Sequence, residues 1–421
     1  MGHSSAMSSV SPAPGSTASL RTANQRRVLS VLRGRPIEHH EELPEHEGDS
    51  YTQAELARAT GLAPATVSSI VRELSTAGLL ESAPGSGRRG SSVRMAAGAG
   101  HVLGIDFGHS HVAVAMADTA GRPLREERRR VRAGQDHHTA LAQARDMALS
   151  LADALGLPHE EDRLPGSVHH VGLGLPAPIT DDVVGSSEIF PGWEGVDARA
   201  AAQDCLGAPV SVENDANLGA LAEHRRGVAR GHGSSVFVKI SSGAGAGIII
   251  DGEVFRGARG TAGEIGHLTL DEQGPICRCG SRGCLEAYTS VETVQSLMAV
   301  QLPEATLDDI IEAAVAGSVA ARRVFEDSGL HLGWGLASIV NLVNPDVVVV
   351  GGDMARAGDL LLESARIGLR RHALSAVAQT PVLASRLGER ASLLGAVLLA
   401  ADRTELVGDG VSQSLGPPVG G

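Results

Sequence analysis

A chain of 421 residues with 42% hydrophobic content is too long for one compact core and apolar enough to fill two or three. Its formal charge of -13 excludes a protein that coats nucleic acid over its whole surface. No run approaches the roughly 18 apolar residues of a membrane span, and no basic start precedes an apolar run, so the expected location is the cytoplasm.

Residues 1–18, rich in Ser, Pro, Gly and Ala without periodic apolar positions, are expected to be disordered, as is the tail 404–421. The acidic total conceals a local basic face. Between residues 19 and 97 stand ten arginines against nine acids, and six of those acids fall in the run 38–49. A first amphipathic helix is predicted over 21–33, with Val28, Leu29 and Leu32 inward. The acidic stretch 36–50 reads as an exposed loop that DNA would repel. Thr52-Gln-Ala-Glu55 is a capping-box pattern that opens a helix with Leu56 and Ala57 inward, and Gly61-Leu62 turns the chain. Pro64 opens a second helix reaching Ala77, on which Val67, Ile70, Val71 and Leu74 face a core. Thr66, Ser68, Ser69 and Arg72 are left outward, as on a recognition helix in a major groove. Residues 79–83 and 92–95 read as two strands of a wing whose glycine-rich tip carries Arg88 and Arg89 toward phosphates or a minor groove. Helix, turn, helix and basic wing in that order make 19–97 a winged helix-turn-helix domain for double-stranded DNA.

Further on, 102–106, the turn Phe107-Gly-His-Ser110 and 111–118 read as strand, tight turn and strand, with Asp106 ending the first. The theme returns at 236–240, Ser241-Ser-Gly-Ala-Gly-Ala-Gly247 and 248–250, closed by an Asp251-Gly252 hairpin. Two such units imply two related lobes with a ligand between them. Asp106, Gly108, Ser110, Gly243 and Gly245 would line phosphate loops. The stretch 320–342, with Val324, Phe325, Leu332, Trp334 and Leu336, is a helix serving either core or subunit interface, and 347–353 is a strand and turn. Of four cysteines, Cys205 stands alone and reads as a small core residue. The others crowd into 277–284, which fits a reducing compartment and a metal site. His267, Cys277, Cys279 and Cys284 make a Cys3His set with no open position, so the expected ion is a structural Zn2+.

Gly263-Glu-Ile-Gly-His267, the cysteine loop to Glu286, Glu213-Asn-Asp-Ala-Asn217 and the glycines of 243–247 together resemble the ROK family, which groups bacterial sugar-responsive repressors with sugar kinases. The resemblance implies an α/β, two-lobed actin-like (ribonuclease H-like) ATPase/sugar-kinase fold behind the α+β winged helix. Lobe 1 would span 101–225 and be completed by 388–403, and lobe 2, with the zinc loop, would span 226–387. It also implies that Asn214, Asp215, Glu264, His267 and Glu286 hold sugar hydroxyls. In the family's kinases the residue matching Asp215 takes the hydroxyl proton, so Asp215 is catalytic here only if the chain is a kinase.

Three departures from the pattern bear on that question. Kinases carry Asp-x-Gly-Gly-Thr where this chain has Asp106-Phe-Gly108-His109-Ser110, and the His109 ring falls where backbone must approach phosphate, which argues against ATP and Mg2+. The second loop has Ser241-Ser242-Gly243 for Gly-Thr-Gly. Ile189 stands where an Asn often precedes Pro-Gly-Trp and cannot bond a hydroxyl with its side chain. The resulting reading is a non-enzymatic, sugar-responsive repressor of carbohydrate uptake or metabolism genes, acting as a homodimer or homotetramer on a palindromic operator. The alternative is an ATP-dependent sugar kinase or a bifunctional kinase-regulator, and a sugar phosphate or another effector stays open.

Overall fold

The computed structural model divides into two units, Met1–Gly100 with Asp402–Gly421, and His101–Ala401; residues 17–34, 50–83 and 92–407 are described. The wing tip with Arg88 and Arg89, and all of the acidic stretch but Ser50, lie outside the described residues.

The first unit contains α1 (Thr17–Leu32), β1 (Tyr51–Thr52), α2 (Gln53–Thr60), α3 (Pro64–Thr76), β2 (Leu80–Ala83) and β3 (Ser92–Met95). The capping box forms as its residues dictate. Glu55 N donates to Thr52 Oγ1 at 3.2 Å, and Thr52 N donates to Glu55 Oε2 at 2.7 Å. Gly61 then ends α2 in the left-handed region. Val67, Ile70, Val71 and Leu74 of α3 are buried, as are Leu56 of α2 and Val28, Leu29, Val31 and Leu32 of α1. Three antiparallel strands in the order β1-β3-β2 complete the unit. Part of the expected free tail is packed instead: Thr404 is buried and its carbonyl accepts from Arg33 Nη2 at 3.1 Å.

The second unit repeats one topology. In the first sheet, β4 (His101–Phe107), β5 (His111–Asp118) and β6 (Pro123–Arg130) form a meander. The chain then runs through α4 (His137–Ala154) to β7 (Val168–Leu175), the small hairpin β8 (Ile179–Thr180) and β9 (Val183–Val184), and α5 (Ala198–Leu206). It returns as β10 (Val210–Asn214) and leaves as α6 (Asp215–Arg226). The strand order is β10-β7-β4-β5-β6, with β4, β7 and β10 parallel. In the second sheet β11 (Ser234–Ile240), β12 (Ala244–Ile250) and β13 (Glu253–Val254) repeat the meander. After α7 (Glu286–Thr289), α8 (Val291–Met298), α9 (Leu307–Val315) and α10 (Val319–Val343) comes β14 (Val347–Gly351). Then follow α11 (Asp359–His372), β15 (Val382–Ala384) and α12 (Ala391–Arg403), giving the order β13-β12-β11-β14-β15.

The helix after each sheet packs on the other. Ala220 and Leu221 of α6 share a core with Phe237 and Ile249, while Leu393 and Val397 of α12 share one with Val102 and Ala113. The glycines expected to form a long loop lie largely in β12, which starts at Ala244 opposite Ile240. A Cβ at Gly247 would sit 2.4 Å from Ala216 O, so glycine there lets the first turn of α6 lie directly on the strand. Phe325, Leu332 and Leu336 of α10 are buried core residues, and Trp334 stacks on His372 with ring centroids 4.6 Å apart. Among the described residues no helix is long and apolar enough to cross a membrane.

Burial, with the charges of Arg225 and His232, lowers His224 of α6 to about 4 from 6.5. The unfolded chain protonates this residue from about pH 6.5 downward and the folded chain only near its lowered value, so stability falls with pH between the two and levels off below. The span corresponds to about 3 kcal/mol. In urea titrations His224→Gln should flatten that decline; an unchanged slope would show that other groups produce it.

Candidate functional site

Between the two sheets of the second unit lies a cavity of about 480 Å³, within the range of small-molecule sites. The β4–β5 turn, the segment 186–189, the start of α6, the β11–β12 hairpin and the region from Glu264 to Glu286 line it.

The start of α6 supplies the central acid. Asn214 caps the helix, its Oδ1 accepting from Ala216 N at 2.9 Å and Asn217 N at 3.2 Å, while Nδ2 donates to Ala177 O at 3.2 Å. The amide is therefore mostly committed, with one N–H left over among the contacts of the described residues. Asp215 follows as the first helical residue, buried, with Lys239 Nζ donating to its Oδ2 at 2.7 Å. Burial raises the Asp215 carboxyl above its usual range against the pull of Lys239, and Asp106 adds to the rise. Glu213 is structural by its contacts: Oε1 accepts from Asn217 Nδ2 at 2.9 Å and Oε2 from Arg256 Nε at 2.6 Å.

Glu264 and Glu286 bring two more carboxylates to the cavity. Burial pushes Glu264 up, His267 opposes this, and Asp215 and Glu286 reinforce it. Glu286 is buried, with Oε2 accepting from Ala244 N at 3.0 Å and Oε1 lying 3.0 Å from Arg278 Nε. Arg278 also donates to Ser242 O at 2.7 Å, pinning the cysteine loop over the β11–β12 hairpin. The Gly-Glu-Ile-Gly-His order has a steric cause. Gly263 has φ +104° and hydrogen-bonds through its carbonyl to Ala246 N at 2.8 Å, and a Cβ there would lie 1.9 Å from Ala246 O.

His267, Cys277, Cys279 and Cys284 converge, each offering one donor atom within 4.8 Å of the others. Cys277 Sγ lies 3.9 Å from His267 Nδ1, and Cys279 Sγ 3.8 Å from Cys284 Sγ. A tetrahedron with bonds of about 2.3 Å has edges of about 3.8 Å, so the donor set fits a metal ion. Burial pushes the Cys277 thiol up to about 12, and a bound cation would favour its thiolate. With Nδ1 facing the thiols, His267 keeps Nε2 for the cavity it lines.

The phosphate-loop positions are less open. Gly108, Ser110, Gly243 and Gly245 line the cavity, but Asp106 does not; it is buried, with His111 Nε2 3.2 Å from its Oδ2. Burial would raise Asp106, yet Lys239 and His111 bring it below its ordinary value. His109 Nδ1 lies 2.9 Å from Ile189 O, so the two departures noted separately in the sequence form one contact on the first-sheet side of the cleft. Both rings line the cavity beside these positions. Lys239, His111 and Arg278 carried no motif signal; only the rarity of lysine in this chain marked one of them.

In the first unit Ser69 and Arg72 are exposed on α3, whereas Thr66 and Ser68 are half-buried. Ser68 turns toward α2, its Oγ donating to Gln53 Oε1 at 2.5 Å, and Ser69 Oγ donates to Glu73 Oε1 at 2.9 Å. Both hydroxyls keep only acceptor capacity for a groove edge.

A duplicated α/β sheet with a polar cleft between its halves, in one chain with a winged helix-turn-helix unit, defines a sugar-kinase-type fold joined to a DNA-binding module. The chain belongs to the ROK family, which residues 102–403 match; residues 42–89 match the MarR family. The xylose repressor of Bacillus subtilis (strain 168) is 28% identical over 91% of this chain and 96% of its own length. A ROK family transcriptional regulator, a homologue of the Escherichia coli Mlc protein, has a crystal structure similar with TM-score 0.72 and 25% identity over 91% of this chain and 96% of that one. A ROK family glucokinase from Streptomyces griseus, crystallised with glucose and AMPPNP, gives TM-score 0.62 and 27% identity over 72% of this chain and 99% of that one.

Gly263→Ala should destabilise the second unit by about 3 kcal/mol or more, because strain at positive φ adds to a clash with Ala246 O. Chemical denaturation reads this, and a cost below about 1 kcal/mol would mean the backbone there relaxes freely.

Proposed function

We propose that this chain is a cytoplasmic, sugar-responsive repressor of carbohydrate genes. The observation that carries the reading is the extent of the similarities. Those to a named repressor and a named transcriptional regulator cover 91% of the chain, whereas that to the glucokinase covers 72%. Residues 19–97 act as the DNA-binding domain, 101–225 with 388–403 as one lobe and 226–387 as the other.

Asp215, Glu264, Glu286, the free N–H of Asn214 and Nε2 of His267 offer paired acceptors and donors to the vicinal hydroxyls of a sugar. Zinc held by His267, Cys277, Cys279 and Cys284 is structural in this reading: it fixes the His267 ring against the cavity. Thr66, Ser68, Ser69 and Arg72, with Arg88 and Arg89 of the wing, meet an operator. A symmetric dimer, or a pair of dimers, reads a palindrome through two such domains. Ligand that favours one arrangement of the lobes by about 1 to 3 kcal/mol changes operator affinity about five- to 150-fold.

Kinase turnover is the second reading, favoured by Asp215 at the position of the family's proton acceptor. Against it stand Lys239 on that carboxylate and His109 across the first loop.

A binding titration on the chain's own upstream DNA, run with xylose, glucose and other sugars, tests both readings when ADP release is followed with ATP and magnesium. Specific binding altered by one sugar without sugar-dependent ADP supports the repressor; vigorous sugar-dependent ADP release without a specific complex overturns it. Arg72→Ala should weaken the specific complex by about 1 to 3 kcal/mol. Metal analysis should find one zinc per chain, lost in Cys284→Ser together with the sugar response. Full metal loss with an intact response would separate the ion from the site.

A further inference from the structure

Asp106 and Lys239 occupy matching places in the duplicated sheets. Each is the next-to-last residue of its sheet's first strand, β4 or β11, and each pairs in parallel with a glycine, Gly174 or Gly351. At equivalent positions the two lobes therefore present opposite charges.

Lys239 is the chain's one lysine. Its Nζ donates to Asp215 Oδ2 at 2.7 Å and lies 3.2 Å from Ser392 Oγ, which in turn donates to Asp215 O at 2.9 Å. It thus touches the first turns of both exchanged helices, α6 and α12. Burial works against its charge, but Asp215, Asp106 and Asp353 outweigh burial and hold its pKa above the ordinary value, so it stays an ammonium. Asp106 Oδ1 is buried with no hydrogen-bond partner among the described residues, and the charge of Lys239 with the His111 hydrogen bond to Oδ2 offsets the carboxylate's desolvation. Three carboxylates whose charges act on Lys239, from β4, the start of α6 and the turn after β14, make an all-oxygen set of the kind that gathers a divalent cation.

We infer that Lys239 is a built-in counter-cation that takes the place of a divalent ion on the floor of the cleft, joining the second sheet to α6 and fitting the site to an uncharged polyol without a metal-bound nucleotide. The inference deepens the sugar-sensor reading and rests on the cleft being the ligand site. An ammonium at this point repels a second cation, and the pair leaves Asp215 one oxygen for a ligand hydroxyl. His111 on Asp106 and His109 on Ile189 O occupy the adjoining walls.

The test uses the full-length protein and Mn2+ alone. In Lys239→Ser, with the ammonium removed and three carboxylates kept, paramagnetic resonance should show Mn2+ bound about tenfold or more tightly than by the wild type. Asp106→Asn added to that variant should abolish the gain. Equal Mn2+ affinity in wild type and Lys239→Ser, or a gain that survives Asp106→Asn, overturns the inference. Should the variant not fold, wild-type protein labelled at lysine 13Cε gives a single side-chain signal. That signal should hold its position when Mg2+ and AMPPNP are added together; a shift on their addition overturns the proposal. Neither measurement involves DNA, so a failed operator titration sinks the repressor reading and leaves this one standing.

Discussion

The cleft depends on how closely the first turn of α6 approaches β12. Gly247 removes the side chain that would strike Ala216 O, and the helix start comes down onto the second sheet. Asn214 closes that helix end with two hydrogen bonds, so its position is fixed by the helix it caps. Asp215, one residue on, is then held where β11 can reach it. A bulkier residue at position 247 would lift the helix and part Asp215 from Lys239, and no surface contact could restore that geometry, because interiors pack at near-crystalline density.

From that approach follows an electrostatic constraint. Asp215, Glu264 and Glu286 line one cavity and repel one another, and burial raises both Asp215 and Glu264. The cations that balance them are placed by long-range folding: Lys239 from β11 and Arg278 from the cysteine loop, the latter anchored on Ser242 O. The metal-donor cluster belongs to the same arrangement, since His267 stands both among the thiols and in the cavity wall. An ion held by that cluster would fix the ring and remove rotamer freedom, which would lower the ordering cost of binding there.

Much of this was legible in the sequence where the signal is local. Thr52 and Glu55 predicted their own capping box, Val67, Ile70, Val71 and Leu74 predicted the inner face of α3, and the cysteine spacing predicted a convergent donor set. What escaped depends on residues far apart in the chain. The two-residue strand β1 has no periodicity of its own and exists only because Tyr51 pairs with Val93. Glycines 245 and 247 suggest a loop until the helix lying against them is known. Ser68 looks outward by helical spacing yet turns to Gln53, a neighbour set by how α2 crosses α3. Thr404 falls in a stretch composed like a tail, and its burial is set by its contact with Arg33 of the first unit.

A lysine on the central carboxylate also bears on how one scaffold serves sensing and catalysis. A catalyst must bind its transition state better than its substrate, which requires groups that answer to charge as it develops. An acid already neutralised at 2.7 Å by a fixed ammonium responds weakly to such charge, because the partner it would recruit is in place beforehand. The same arrangement suits a receptor, whose ligand needs only an ordered set of donors and acceptors. The two imidazoles at positions 109 and 111 stand in the wall of the same cavity, one on Ile189 O and the other on Asp106. Were the cleft to hold a ligand's hydroxyls between the two lobes, a difference in that holding between lobe arrangements is all that linkage to DNA would require.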